Sequence, residues 1–167
     1  MTGIAHDAFV AGLRNAHAME IQARELMERQ SERLGDYPEV KRRITEHLGE
    51  TRLQIERIER CLEQCRESTS TLKDTAQSIL ANTMALMHSA AQDEILKNTF
   101  ANNAFENFEI AAYKSLLVLC RECGASFARE PLLLSLKEEE AMAGWIDQNV
   151  EKVTLEFVRH EERQAAA

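Results

Sequence analysis

The chain has 167 residues, a formal charge of −8, two prolines and six glycines. That length carries one domain with a single core, and the acidic balance excludes the basic surface that nonspecific nucleic-acid binding needs. No apolar run approaches the ~20 residues of a membrane span. No basic start followed by an apolar segment marks a secretory signal. The four cysteines fall at helical intervals rather than in a disulfide framework, so reduced thiols and a cytoplasmic location are expected. Good helix formers dominate, and the expected class is all-α.

Asp7 is placed to cap a first helix that runs to about Leu34. Phe9, Leu13, Ala16, Ala23, Met27 and Leu34 make one apolar face of it. Gly35-Asp36-Tyr37-Pro38 is a turn, with Pro38 suited to the first position of the next helix. That helix runs to about Glu67, with its stripe at Val40, Ile44, Leu48, Ile55, Ile58 and Leu62. After Ser68–Thr71, a capping box of Thr71 and Asp74 opens a shorter helical segment from Leu72 to His88. A long helix follows from Asp93 to Cys123, uninterrupted by proline or glycine, and Gly124 stops it. Ala125–Glu130 reads as a loop, and Pro131 opens a last helix that runs to about His160, before a frayed tail. Short loops make each outer pair of long helices an antiparallel hairpin. The long middle connection makes the second and fourth helices parallel. The expected fold is thus a single domain over residues 1–167, ordered from about 7 to 160. It is a ferritin-like antiparallel four-helix bundle with one long crossover that contains an additional short helix.

The acids lie at unexpected places on these faces. Glu20 falls at the centre of the Phe9–Met27 stripe, and Glu139 at the centre of Leu132, Leu136, Ala143, Ile146 and Val150. Glu106 and Glu109, three apart in NAFENFEIAAY (Asn103–Tyr113), share one helix face with Phe105, Ala112 and Leu116. The second helix brings His47 onto its stripe, with Glu50 and Gln54 along the border. A buried carboxylate is costly unless compensated, and four of them carry the charge that two divalent cations cancel. Glutamates from four helices around two metal ions are the ferritin-like di-iron or di-manganese arrangement. The candidate ligands are Glu20, His47, Glu50, Glu106, Glu109 and Glu139. The usual Glu-x-x-His pairs are not here: Leu53 follows Glu50 and Met142 follows Glu139 at that spacing. Oxygen-rich ligation of this kind suits iron or manganese. Gln54 is placed to bond a ligand carboxylate from behind. Glu138 and Glu140 read as solvated. The stretch around His17 and Glu20 echoes that around Glu106 and Glu109, as a pseudo-twofold relation between hairpins would give.

The strings HLGETRLQIERI (His47–Ile58), ENFEIAAY (Glu106–Tyr113) and LKEEEAMAGWI (Leu136–Ile146) resemble the YciF/YciE-type family of bacterial ferritin-like stress proteins. The likeness runs from about Phe9 to Val158. It implies a rubrerythrin-like bundle with an extra helix, a homodimer and a di-iron centre, with Glu106 and Glu109 matching the rubrerythrin glutamate pair on the third bundle helix. The two ligand histidines and the rubredoxin domain of rubrerythrins have no counterpart. Two functions stay open: a di-metal oxidoreductase that reacts with peroxide or O₂, its electron donor unknown, and a non-catalytic dimeric stress protein with a structural or vestigial site. Cys61, Cys65, Cys120 and Cys123 would gather at one end of such a bundle, as a redox dithiol, a zinc site or simple core residues.

Overall fold

The computed structural model describes residues 3–66 and 93–166. The segment Leu72–His88 and its capping box lie outside the described residues. Four long helices carry the chain: α1 (Ile4–Arg33), α2 (Pro38–Gln64), α3 (Glu94–Glu122) and α4 (Arg129–Ala165). No strand occurs among the described residues. The all-α bundle expected from the apolar stripes is therefore the fold. No helix of the described residues is long and apolar enough to cross a membrane.

Helix ends follow local chemistry. α1 begins before Asp7, at Ile4, with Gly3 in an extended conformation ahead of it. Asp7 lies inside the first turn, where its charge meets the positive end of the helix dipole. Pro38 occupies the start of α2 as expected. α2 stops at Gln64, short of Glu67, and Arg66 takes a left-handed φ of 62° beyond it. For a side-chain-bearing residue that costs roughly 1–2 kcal/mol. α3 ends with Gly124 at φ 74°, whose N–H donates to the Arg121 carbonyl while the Ala125 N–H donates to that of Cys120. Those two bonds make a Schellman cap, and the φ explains the glycine. α4 starts at Arg129, after a 3₁₀ turn over Ser126–Ala128, so Pro131 sits within its first turn rather than at its head. The backbone N–H that proline lacks has no helical partner there anyway. α4 also continues past His160 to Ala165.

Cross-helix pairs fix the directions. His17 meets Glu59 and Glu28 meets Arg52, so α1 and α2 are antiparallel. Gln30 meets Asn102 and Glu20 meets Tyr113, so α1 and α3 are antiparallel too. Arg57 meets Glu138 and Glu39 meets Lys152, which sets α2 against α4 in the same sense. α2 and α3 therefore run parallel. One apolar core fills the bundle, from Phe9, Leu13, Leu62, Leu116 and Leu132 at one end to Met27, Ile44, Ile95, Ile146 and Val153 at the other. Gly12 lets α3 come close: a Cβ there would lie 2.8 Å from Leu116 Cδ2. Midway along this core a layer of charged side chains interrupts the hydrocarbon.

Candidate functional site

Each of the four helices turns one or two polar groups into that layer. Glu20 comes from α1, His47 from α2, Glu106 and Glu109 from α3, and Glu139 from α4, each no more than 5 % exposed. They sit there because they occupy stripe positions of otherwise apolar helix faces. Phe108, between the two α3 acids, points outward and is half exposed.

His47 is the hub. Its Nδ1 lies 2.7 Å from Glu50 Oε2, and its Nε2 lies 3.2 Å from Glu106 Oε2 and 3.4 Å from Glu139 Oε2. Atoms of His47, Glu106 and Glu139 converge within 4.8 Å, the one such group of three among the described residues. Burial alone would push the His47 pKa down, but its contacts with Glu106, Glu139 and Glu50 outweigh that and hold it well above the usual value. Glu50 is displaced the other way: the His47 hydrogen bond and the Arg43 guanidinium pull its pKa down. An ionised Glu50 accepts the Nδ1–H, which turns Nε2 toward the acids.

The second half of the layer is Glu20 and Glu109. Burial first, and the neighbouring carboxylates after it, hold both well above the normal carboxylate range. Burial also raises Glu106, to about 7, against the pull of His47. Glu139 is common to both halves: it adds charge against Glu20 and contacts both Glu106 and Glu109. Tyr113 donates its hydroxyl to Glu20 Oε1 at 2.5 Å, and its own pKa is pushed well up by burial and that carboxylate. Gln54 donates Nε2 to Glu139 Oε1 and, at 2.9 Å, to Glu138 Oε2.

The layer is short of donors. Glu20 Oε2 and Glu109 Oε1 are buried without a hydrogen-bond partner, as are Thr51 Oγ1 and Gln54 Oε1, while Glu106 Oε2 and Glu139 Oε2 have only the one His47 Nε2 to share, at 3.2 and 3.4 Å. Buried acceptors are nearly always satisfied. Carboxylate oxygens left open and facing one another suit either protons or cations, and hard divalent ions with oxygen ligands fit this donor set.

Of the six candidate residues, five lie in the layer. Glu50 stands at its edge, with a side chain 32 % exposed, bound to His47 and to Arg43 at 3.4 Å. Gln54 lies in the interior rather than on the border, fully buried behind Glu139. Glu138 is not solvated: Arg57 grips it with two bonds of 2.6 and 2.9 Å. Tyr113 stands one turn beyond Glu109 on α3, but its hydroxyl crosses to Glu20 on α1. The signal was there in the matching depth of Glu20 and Tyr113 on facing stripes. At the bundle end, Cys61, Cys65, Cys120 and Cys123 are not joined in disulfides. They form no converging metal group. Burial raises Cys61 to about 11, and Cys120 gives its S–H to the Ala125 carbonyl at 3.0 Å. These are the marks of core cysteines.

Residues 4–159 match the model of the family described as Domain of unknown function (DUF892). Solved structures share the architecture. A protein from Xanthomonas campestris pv. campestris is 30% identical, with 96% of this chain and 99% of that chain covered and a TM-score of 0.80. The E. coli stress protein YciF is 22% identical, over 92% of this chain and 98% of that one, with a TM-score of 0.75. YcfI from Rhodopseudomonas palustris is 20% identical, over 87% and 94%, with a TM-score of 0.68. The chain belongs to the DUF892 family, in line with its YciF-type resemblance.

Proposed function

We propose that this DUF892 protein holds two divalent cations between its helices, with Glu20, His47, Glu106, Glu109 and Glu139 as ligands. The observation that carries the reading is the surplus of acceptors: of four buried carboxylates, Glu20 and Glu109 each keep an oxygen with no donor, and Glu106 and Glu139 share a single imidazole nitrogen. Two divalent ions would balance their charge; a purely structural seam would pair them with arginine or amide groups, as Arg57 pairs Glu138. His47, Glu106 and Glu139 would form one half of the centre. Glu20 and Glu109 would form the other, with Glu139 shared between them. One imidazole among carboxylates favours iron, with manganese as the alternative.

Such ions supply Lewis acidity and, with peroxide or O₂ as oxidant, one-electron chemistry. The protein's part is positional. Glu50 takes the Nδ1–H of His47 and leaves Nε2 facing the acids. Gln54 and Tyr113 each hold one carboxylate oxygen, on Glu139 and Glu20, in place. Leu116 and Met142, both buried, help keep water out. We assign the protein to the cytoplasm, and to a homodimer that covers the half-exposed Phe100, Phe108 and Val118 of α3.

The test is elemental analysis after anaerobic loading with Fe²⁺ or Mn²⁺ and dialysis. About two equivalents per chain are expected, falling to one or none in Glu139→Ala. A wild-type chain that retains no metal would sink the reading. A non-catalytic role for the same ions is favoured by one observation. The five ligand side chains are each 5 % exposed or less, which leaves an oxidant no open approach to them. Loss of added hydrogen peroxide over the loaded protein separates the two readings.

A further inference from the structure

The proposed centre is closed, since its five groups are 5 % exposed or less. A hydrated cation can reach it only by trading waters for ligands one at a time, so something at the surface must make the first exchange. Glu50 has the properties required. Its side chain is about a third exposed, yet its Oε2 lies 2.7 Å from Nδ1 of His47, whose other nitrogen faces Glu106 and Glu139. At about 100° per residue, Glu50 lies roughly 20° around α2 from Arg57. Arg57 grips Glu138 on α4, so Glu50 opens on the α2–α4 side.

The neighbouring charges single it out. Glu138 is immobilised by two bonds from Arg57 and one from Gln54. Among the described residues, Glu50 is tied outside the imidazole only by Arg43, at the long distance of 3.4 Å. Arg43 is itself 11 % exposed and places a positive charge beside the carboxylate a cation would approach. A boundary acid held through one oxygen, by the imidazole and a long contact to Arg43, is the arrangement of a ligand that can move.

We infer that Glu50 is the loading ligand of the centre: it takes a divalent cation from solvent on the α2–α4 side and passes it to His47, Glu106 and Glu139, while Arg43 slows the exchange. This rests on the metal-centre reading above. No bond to carbon is made or broken and no electron moves. The cation exchanges water for carboxylate, then carboxylate for the inner ligands.

The experiment is stopped-flow uptake of Co²⁺ by the metal-free full chain, followed by the visible absorption of the bound ion, with affinity measured separately by competition at equilibrium. Glu50→Gln keeps an oxygen for the Nδ1–H of His47 and removes only the charge. It is expected to slow uptake by about 10-fold and release with it, so that the rates change more than the equilibrium affinity does. Arg43→Gln is expected to speed uptake several-fold. Weakened affinity in Glu50→Gln at an unchanged uptake rate would overturn the inference, because Glu50 would then be a resident ligand or a pure support for His47. Unchanged uptake in both variants would overturn it too, because the cation would enter elsewhere. If wild-type protein binds no Co²⁺ at equilibrium, the centre itself is refuted, an outcome the competition measurement reports independently of the rates.

Discussion

Two polar layers cross the interface between α1 and α3, and they are built on opposite plans. Toward one end, Gln30 and Asn102 exchange hydrogen bonds of 3.1 and 2.9 Å, each amide giving one donor and one acceptor to the other. Both are at least nine-tenths buried. At mid-bundle, Glu20, Glu106, Glu109 and Glu139 are as deeply buried, but acceptors far outnumber donors. The amide pair needs nothing from outside and sets the register of two helices. The acid layer is incomplete as protein alone. Burial depth does not tell the two layers apart; the balance of donors and acceptors does.

That contrast can be broken in four ways. The largest effect is expected from metal. At a free concentration a thousandfold above the dissociation constant, one bound ion adds about 4 kcal/mol of stability. Thermal melts with and without Mn²⁺ should differ accordingly, and Glu139→Gln should abolish the difference. Equal melts in wild type would place the acid layer in the same class as the amide pair.

Protons come next, in the metal-free chain. Glu20, Glu106 and Glu109 have folded pKa values raised above the unfolded ones, so the stability they lend is full below the unfolded carboxylate value and lost as pH rises through the folded values. For Glu106 that loss runs from about 4.5 to about 7. His47, also raised, loses its contribution in the same direction, above the usual imidazole value. Unfolding free energies from urea titrations should therefore fall as pH rises from 6 to 8.5, with Glu106 alone contributing a slope of up to about 1.4 kcal/mol per pH unit until its folded value near 7 is passed. A flat profile would mean the acids are compensated without metal. The amide pair adds no slope.

Third, Asn102→Leu leaves the Gln30 amide buried and unpaired and should cost about 2 kcal/mol in urea unfolding. Gln30→Leu added to it should restore most of that, because an apolar pair needs no partner. The corresponding double change in the acid layer, Glu20→Gln with Glu109→Gln, should instead raise the stability of metal-free protein above wild type. The smallest effect belongs to Gly12→Ala, which disturbs the same interface without touching a polar atom. The new Cβ displaces Leu116 Cδ2, while alanine gains about 1 kcal/mol of helix propensity. The net change should stay within ~1 kcal/mol, and a larger loss would show that α3 itself has to move.

Much of this architecture can be read from residue order because its causes are local. The turn at Gly35–Pro38 and the stop at Gly124 follow from proline and glycine geometry, and the four faces from helical period. The same period put Glu20, Glu106, Glu109 and Glu139 inside and His47 with them. What it could not give is which borderline side chain turns in. Glu50 and Gln54 both lie at the edge of the α2 stripe. Gln54 went inside because Glu139 offers it an acceptor, and Glu50 stayed at the boundary because Arg43 and His47 hold it there. Glu138 looked like one of a solvated run, and its role depends on Arg57 from a helix about eighty residues away in sequence. Such pairings are set by packing between elements, which no single stretch encodes. The 3₁₀ turn before α4 is of the same kind: Ala128 is fully buried at the bundle end, which draws the chain into structure ahead of Pro131.

The parallel course of α2 and α3 divides the proposed ligands in a telling way. The amino-terminal hairpin owns Glu20 and His47; the carboxy-terminal hairpin owns Glu106, Glu109 and Glu139. Neither has a complete set, and each presents an apolar face with charges in it that only the other can cover. Under the proposed reading, a chain cut between Arg66 and Asp93 would yield two halves whose reassembly and metal uptake are one event, and the ion would act as a reporter of, and a reward for, correct pairing of the two hairpins.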